Sequence, residues 1–136
     1  MIPPDGFVEA EGRGPFTRHN GPIYRRRQSD QIQVGMYILE RHCNGLGFLH
    51  GGMAASFADG ALAWAVWEAS NLSSVTMRLS IDYLQPVRQG DWLMAEPKCL
   101  QIDGDVVHVE ATLTRNERSP VCHAAAVFHL LRRNMN

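Results

Sequence analysis

The residues that most restrict this chain are Gly51 to Ser70, "GGMAASFADGALAWAVWEAS", a proline-free run dominated by alanine. At 3.6 residues per turn it is long enough for about five turns of helix, and its composition favours one. Small residues recur at Ala54, Ala58, Ala61 and Ala65, a stripe that lets a helix lie close against a flat surface. Met53, Phe57, Trp64 and Trp67 fill another face, so apolar residues surround most of the helix. Such a helix needs cover on more than one side: a sheet that wraps it and a second subunit for the remainder.

The rest of the chain supplies the sheet. Before the helix, "QIQVGMYILER" (Gln31 to Arg41) puts Ile32, Val34, Met36 and Ile38 on one face by alternation, and Gly35 suggests a bulge or the close approach of another backbone. After it, "SSVTMRLSIDYL" sets Val75, Met77, Leu79, Ile81 and Tyr83 on a packed side against Thr76, Arg78, Ser80 and Asp82. "DWLMAEPKCLQID" follows, with Pro97 marking an edge position or a bulge. "DGD" at Asp103 to Asp105 turns the chain into "VVHVEATLTRN", and "NERSP" turns it into a last strand, "VCHAAAVFHLLRR". The class is α+β: an antiparallel sheet wrapped around a long central helix, in one domain over 31–136. Residues 1–30, rich in Gly, Pro and charge, read as an N-terminal arm with a short helix, and "YRRRQ" at Tyr24 to Gln28 as a solvated loop.

Bulk properties narrow the function classes. A net charge of −1 over 136 residues gives no bias toward nucleic acid or anionic lipid. Cys43, Cys99 and Cys122 are an odd set without C-x-x-C spacing, as in reduced intracellular thiols rather than a disulfide framework or zinc ribbon. The N-terminus lacks an apolar signal segment, and no apolar run approaches the ~18 residues of a membrane span, so a cytoplasmic protein is expected. No G-x-S-x-G is present, which disfavours a serine hydrolase.

Asp59 is the residue that does not fit a core helix. A carboxylate buried without a partner costs several kcal/mol, so this one is either satisfied, by Ser56 or a wet gap, or kept for chemistry. Asn44 and His50 stand upstream in a Gly-rich loop ending at Gly51-Gly52, where the helix begins. The first N–H groups of a helix have no intrahelical partner and can polarise a carbonyl oxygen. Asp59 lies eight residues beyond Gly51, roughly 12 Å along the axis, too far for both to serve one atom within one chain. Two copies with antiparallel helices would bring the Gly51 amide of one to Asp59 of the other.

"HCNGLGFLHGGMAASFAD" resembles the motif H-x-N-x-x-G-x-x-H-G-G-x-x-x-x-x-x-D of the hotdog-fold acyl-CoA thioesterases, in particular the phenylacetate-pathway subgroup. "VTMRLSIDYLQPVRQGD" is similar to that family's strand after the helix. The resemblance implies a hotdog fold and hydrolysis of an acyl-CoA, aromatic or medium-chain, with no cofactor beyond the coenzyme A of the substrate. It implies catalytic roles for Gly51 as carbonyl-polarising amide, Asp59 as nucleophile or general base, and Asn44 as orienting group. His50 would support the loop, and Thr76 would stand near the attacking water. It also implies a homodimer, pairing further into a dimer of dimers, while charge, hydropathy and histidine spacing give no expectation of a nucleic-acid, membrane or metal partner. Arg78, Arg88, Arg115, Arg118, Arg132 and Arg133 form the pool from which coenzyme A phosphates would find partners. The alternative within the fold is a non-catalytic acyl-CoA-binding sensor; a hotdog dehydratase is weaker because its His-containing loop is not present. His42 and His50 with Asp59 make a poor metal set at this spacing, and His108, His123 and His129 read as structural histidines on strands.

Overall fold

The computed structural model describes residues 1–11 and 14–132. Arg133 therefore lies outside the described residues. Ten elements follow in order: β1 (Val8–Glu9), α1 (Pro15–Asn20), β2 (Tyr24–Gln28), β3 (Gln31–Tyr37), a 3-10 turn (Glu40–His42), α2 (Gly51–Ser70), β4 (Ser74–Tyr83), β5 (Trp92–Asp103), β6 (Val106–Arg115) and β7 (Ser119–Leu130). The strands form one sheet in the order β1-β2-β3-β5-β6-β7-β4, antiparallel throughout. The antiparallel sheet with one long helix, expected from that helix and its flanking alternation, is present, as is the hotdog arrangement that the resemblance implies. Among the described residues no helix is long and apolar enough to cross a membrane.

The alanine stripe does what its spacing predicts. Ala54, Ala58, Ala61 and Ala65 are buried with Phe57, Leu62 and Val66, and this side of α2 lies on the sheet. Opposite them, Val34 and Met36 come from β3 and Ile38 from just after it, Val107, Val109, Ala111 and Leu113 from β6, and Ala124, Ala126, Phe128 and Leu130 from β7. Alternation in these strands places one residue in two on the helix, and each large side chain so buried contributes roughly 1.5–3 kcal/mol. The other side of α2 stays open in the single chain: Trp64 is half-buried and Trp67 exposed.

Four local readings are corrected. Gly35 admits no backbone; the Trp92 ring lies so close that a Cβ would come 2.1 Å from it. Tyr24–Gln28 is a strand rather than a solvated loop, because arginine stems can lie along a sheet while their heads reach partners. Arg26 donates to the Gln33 side chain at 2.6 Å and sits over the Phe7 ring, tying the N-terminal segment to a small outer cluster of Phe7, Trp92 and Met94. The expected arm thus adds β1 and β2 to the sheet. Pro97, by contrast, holds the edge position expected of it: the β3–β5 ladder stops at Ala95, leaving the second half of β5 without that neighbour.

The fourth correction concerns β4. Its register against β7 shifts between Thr76 and Arg78, a bulge that inserts Met77 as an extra residue. Alternation alone sets Thr76 opposite Leu79 and Ile81; the bulge reverses parity and brings Thr76 onto the helix side with them. Val75 and Met77, expected to pack, are exposed instead.

Candidate active site

The loop before α2 is built by short-range bonds. Asn44 Oδ1 accepts from the N–H groups of Leu46 and Phe48 at 2.9 and 3.2 Å, closing a tight turn through Gly47, whose φ of +83° suits glycine. Cys43 and Leu49 bridge across the base of that turn, and the His50 N–H reaches the His42 carbonyl at 2.9 Å. His50 caps α2: its Nδ1 accepts from the Gly52 N–H at 2.9 Å. Accepting there leaves the proton of a neutral imidazole on Nε2.

Tyr83, which no motif singled out as a functional group, completes this end. Its hydroxyl donates to the Gly51 carbonyl at 2.6 Å. The peptide between Gly51 and Gly52 is thereby held at both poles, its N–H by His50 and its C=O by Tyr83. The Gly51 N–H, first of the helix, belongs to the preceding peptide, and like the Met53 N–H it is not engaged by His50. Burial and the neighbouring Cys122 thiol both push the Tyr83 phenol above its ordinary value, so it donates as a neutral hydroxyl.

Asp59 lies two turns along, on the open side of α2 at its β4 margin. It is half-buried, not enclosed, and its partner is Thr76 rather than Ser56: the Thr76 hydroxyl donates to Asp59 Oδ1 at 2.5 Å. Ser56 bonds instead back to the Gly52 carbonyl at 2.9 Å. The structure therefore brings Thr76 to Asp59, and His50 and Asn44 to the Gly51 end, and leaves the two groups separated along the helix within one chain.

His42, the first residue of the motif, was given no role by the sequence, and its neighbours explain why it is there. Nδ1 accepts from the Leu39 N–H at 2.9 Å and Nε2 donates to the Asn20 carbonyl at 2.6 Å, so both ring nitrogens are engaged. Burial lowers its pKa, a shift opposed by the bond to Asn20 and assisted by the Arg41 charge. Of the arginines considered for phosphate contact, Arg88 sits over the Phe48 ring, Arg115 donates to the Pro86 carbonyl and Arg132 to Asp105, while Arg78 is exposed on β4.

Residues 46–122 match the model of the thioesterase superfamily. The chain belongs to that superfamily. This thioesterase is 32% identical over 133 residues to a Pseudomonas aeruginosa protein named "Putative esterase PA0474", with 96% of this chain and 98% of that one covered. Its fold is similar to PaaI of Escherichia coli, from the phenylacetic acid degradation operon, with a TM-score of 0.78 and 22% identity over 88% of this chain and 86% of that one. A thioesterase protein of Streptococcus pneumoniae TIGR4 with coenzyme A superposes with a TM-score of 0.74 and 20% identity, covering 82% and 90% of the two chains.

As a thioester hydrolase this chain needs a donor for the carbonyl oxygen and a base or nucleophile for the acyl carbon. The thioesterase offers candidates of each kind, the amides at the start of α2 and a carboxylate two turns later. Periodicity could not advertise the role of Tyr83 or of His42, since each acts through hydrogen bonds to backbone groups that the fold brings near.

Proposed function

We propose that this thioesterase hydrolyses an acyl-CoA bearing an aromatic or medium-chain acyl group, at a site shared between two copies of the chain. The observation that carries the proposal is Asp59 held by the Thr76 hydroxyl on the open side of α2, two turns from a helix N-terminus whose second amide is already occupied. The Gly51 N–H of one copy polarises the thioester oxygen as negative charge develops there. Asp59 of the partner subunit attacks the acyl carbon or takes a proton from the water that does. Thr76 occupies one carboxylate oxygen and so directs the other to the reaction. Asn44 keeps the loop at its turn and orients the attacking group; His50 fixes the Gly52 peptide. The C–S bond breaks, the thiolate of coenzyme A leaves with a proton, and water supplies the acid's second oxygen. Coenzyme A enters only as part of the substrate.

The aromatic preference rests on the motif resemblance and on likeness to PaaI, and coenzyme A as carrier is supported by its presence in the streptococcal relative. The exposed side of α2 and the edge strand β4 supply the surfaces for a homodimer, which a dimer of dimers would then build on. Release of free thiol from a panel of acyl-CoAs tests the reading, with Asp59→Asn beside the parent. A fall in kcat on the order of 10²–10⁴, with fold and oligomeric size retained, is expected. Equal turnover in both proteins overturns the role of Asp59, and binding without turnover favours a sensor.

A further inference from the structure

The peptide that opens α2 joins two glycines, and glycine has no Cβ to restrict its own rotation. Glycine is also the poorest helix former after proline, so this start is the least self-supporting part of α2. What it admits is close approach. A Cβ added at Gly51 would lie 3.4 Å from the Tyr83 hydroxyl oxygen, and one added at Gly52 would lie 3.0 Å from His50 Nδ1. The two side chains therefore close on the Gly51-Gly52 peptide from its two poles, through bonds of 2.6 Å to its carbonyl and 2.9 Å from its N–H.

Both jaws are rooted in firmer parts of the fold. Tyr83 pairs with Cys122 in the β4–β7 ladder, and the next two amides, of Leu84 and Gln85, donate to the Val121 carbonyl at 2.8 and 3.2 Å. His50 is tied through its own N–H to the His42 carbonyl, and both ring nitrogens of His42 are engaged. Stability alone gives the Tyr83 bond little reason. Tyr83 is 55% exposed, and in a helix the Gly51 carbonyl already has the amide four residues on as its donor. A second donor to that oxygen acts on direction, by fixing the plane of the peptide. On the other side of Gly51, the His50 carbonyl accepts from the Ala54 N–H at 3.0 Å. Gly51 thus stands between two held peptides, and its N–H has one direction to point. The Tyr83 bond also draws charge toward the carbonyl oxygen and makes the Gly52 N–H a better donor to His50, because hydrogen bonds in a chain polarise one another.

We propose that Tyr83 is a positioning residue for thioester hydrolysis: by holding the Gly51 carbonyl it keeps the Gly51 N–H aimed at the thioester oxygen. The inference rests on the thioesterase reading above and adds to it the group that keeps the carbonyl-polarising amide still. In this role Tyr83 touches neither the acyl carbon nor the leaving sulfur. Its effect falls on the step in which negative charge develops on the carbonyl oxygen, where a donor turned out of line stabilises least. The ground state depends on that direction less, so the loss belongs to kcat rather than to KM.

Tyr83→Phe removes the hydroxyl and keeps the ring. With phenylacetyl-CoA and octanoyl-CoA as substrates, kcat should fall about 10-fold while KM changes by less than about two-fold, with Tm close to the parent. Replacing Tyr83 by 3-fluorotyrosine, which keeps a hydroxyl in the same place, should leave kcat near the parent. Infrared spectra of the same thioesters, carrying ¹³C at the carbonyl and bound to Asp59→Asn so that they are not consumed, read the polarisation itself. The carbonyl stretch should lie at lower frequency than in water, and adding Tyr83→Phe should move it back toward the free value. A purely structural Tyr83 would lower Tm and leave the stretch and the kcat of the folded fraction alone. In a parent that hydrolyses thioesters, an unchanged stretch or an unchanged kcat in Tyr83→Phe overturns the inference and leaves the thioesterase reading standing. A parent that hydrolyses no acyl-CoA overturns that reading, and the inference with it.

Discussion

The two long sides of α2 obey different rules. Against the sheet, the helix presents Ala54, Ala58, Ala61 and Ala65 with Leu62 and Val66, and every position is decided by volume. On the open side it presents Gly51, Ser56, Asp59 and Gly60, where positions are decided by what a backbone or a hydroxyl can reach. The difference teaches that one helix can carry both the core and the chemistry when its surface is divided lengthwise, so that damage to one side need not appear in the other.

Substitutions can test how complete that division is. The largest effect on stability should come from Leu62→Ala, which empties a fully buried site and costs about 2–5 kcal/mol in chemical denaturation, with kcat close to the parent in the surviving folded fraction. A comparable loss of kcat would show that the sides are mechanically joined. Gly35→Ala, on the strand beneath, forces the Trp92 ring to move and should cost roughly 1–3 kcal/mol, again without changing kcat.

Thr76→Ala reverses the pattern. Stability should change by no more than about 1 kcal/mol because the bond is exposed, while kcat falls roughly 10-fold; Thr76→Ser, which keeps the hydroxyl, should restore most of it. An unchanged kcat in Thr76→Ala would remove the hydroxyl from the mechanism. A smaller effect, in pH rather than substitution, concerns His42. Its folded pKa is lowered, so the unfolded chain binds the proton more readily, and stability is complete above about pH 6.5 and declines as the pH falls below that. Denaturation curves between pH 5 and 8 should show this slope in the parent and lose that part of it in His42→Gln. The smallest effect belongs to Glu68→Ala, which breaks an ion pair to the exposed Arg27 side chain and should cost about 0–1 kcal/mol.

The sheet-facing side of α2 was legible in the sequence because packing repeats: small residues at helical spacing and apolar residues at alternate strand positions state which side is in. The opposite side was legible only at Gly51, Asn44, His50 and Asp59, where a spaced motif resembles a known family. Thr76 came from that resemblance; alternation left it on the side that meets solvent or a site, away from Leu79, and not on the helix. A bulge is one added residue, and nothing in the pattern of apolar positions around Met77 announces it. The strand Tyr24–Gln28 was hidden for a different reason: three consecutive arginines suggest solvent until their stems are laid on a sheet. The role of Tyr83 was invisible because it is chosen for one carbonyl brought near by the fold, and His42, though it opens the motif, showed nothing of the two backbone partners its ring engages.

The strand β4 touches the site twice, through Thr76 on Asp59 and Tyr83 on the Gly51 carbonyl. Both hydroxyls project from one edge strand, spaced by the residues and the bulge between them. The strand therefore acts as a ruler laid along the helix: inserting or deleting one residue anywhere between these marks would turn one of the two hydroxyls to the far face of the sheet. Edge strands are usually where a fold forgives changes of length, and this one should forgive none.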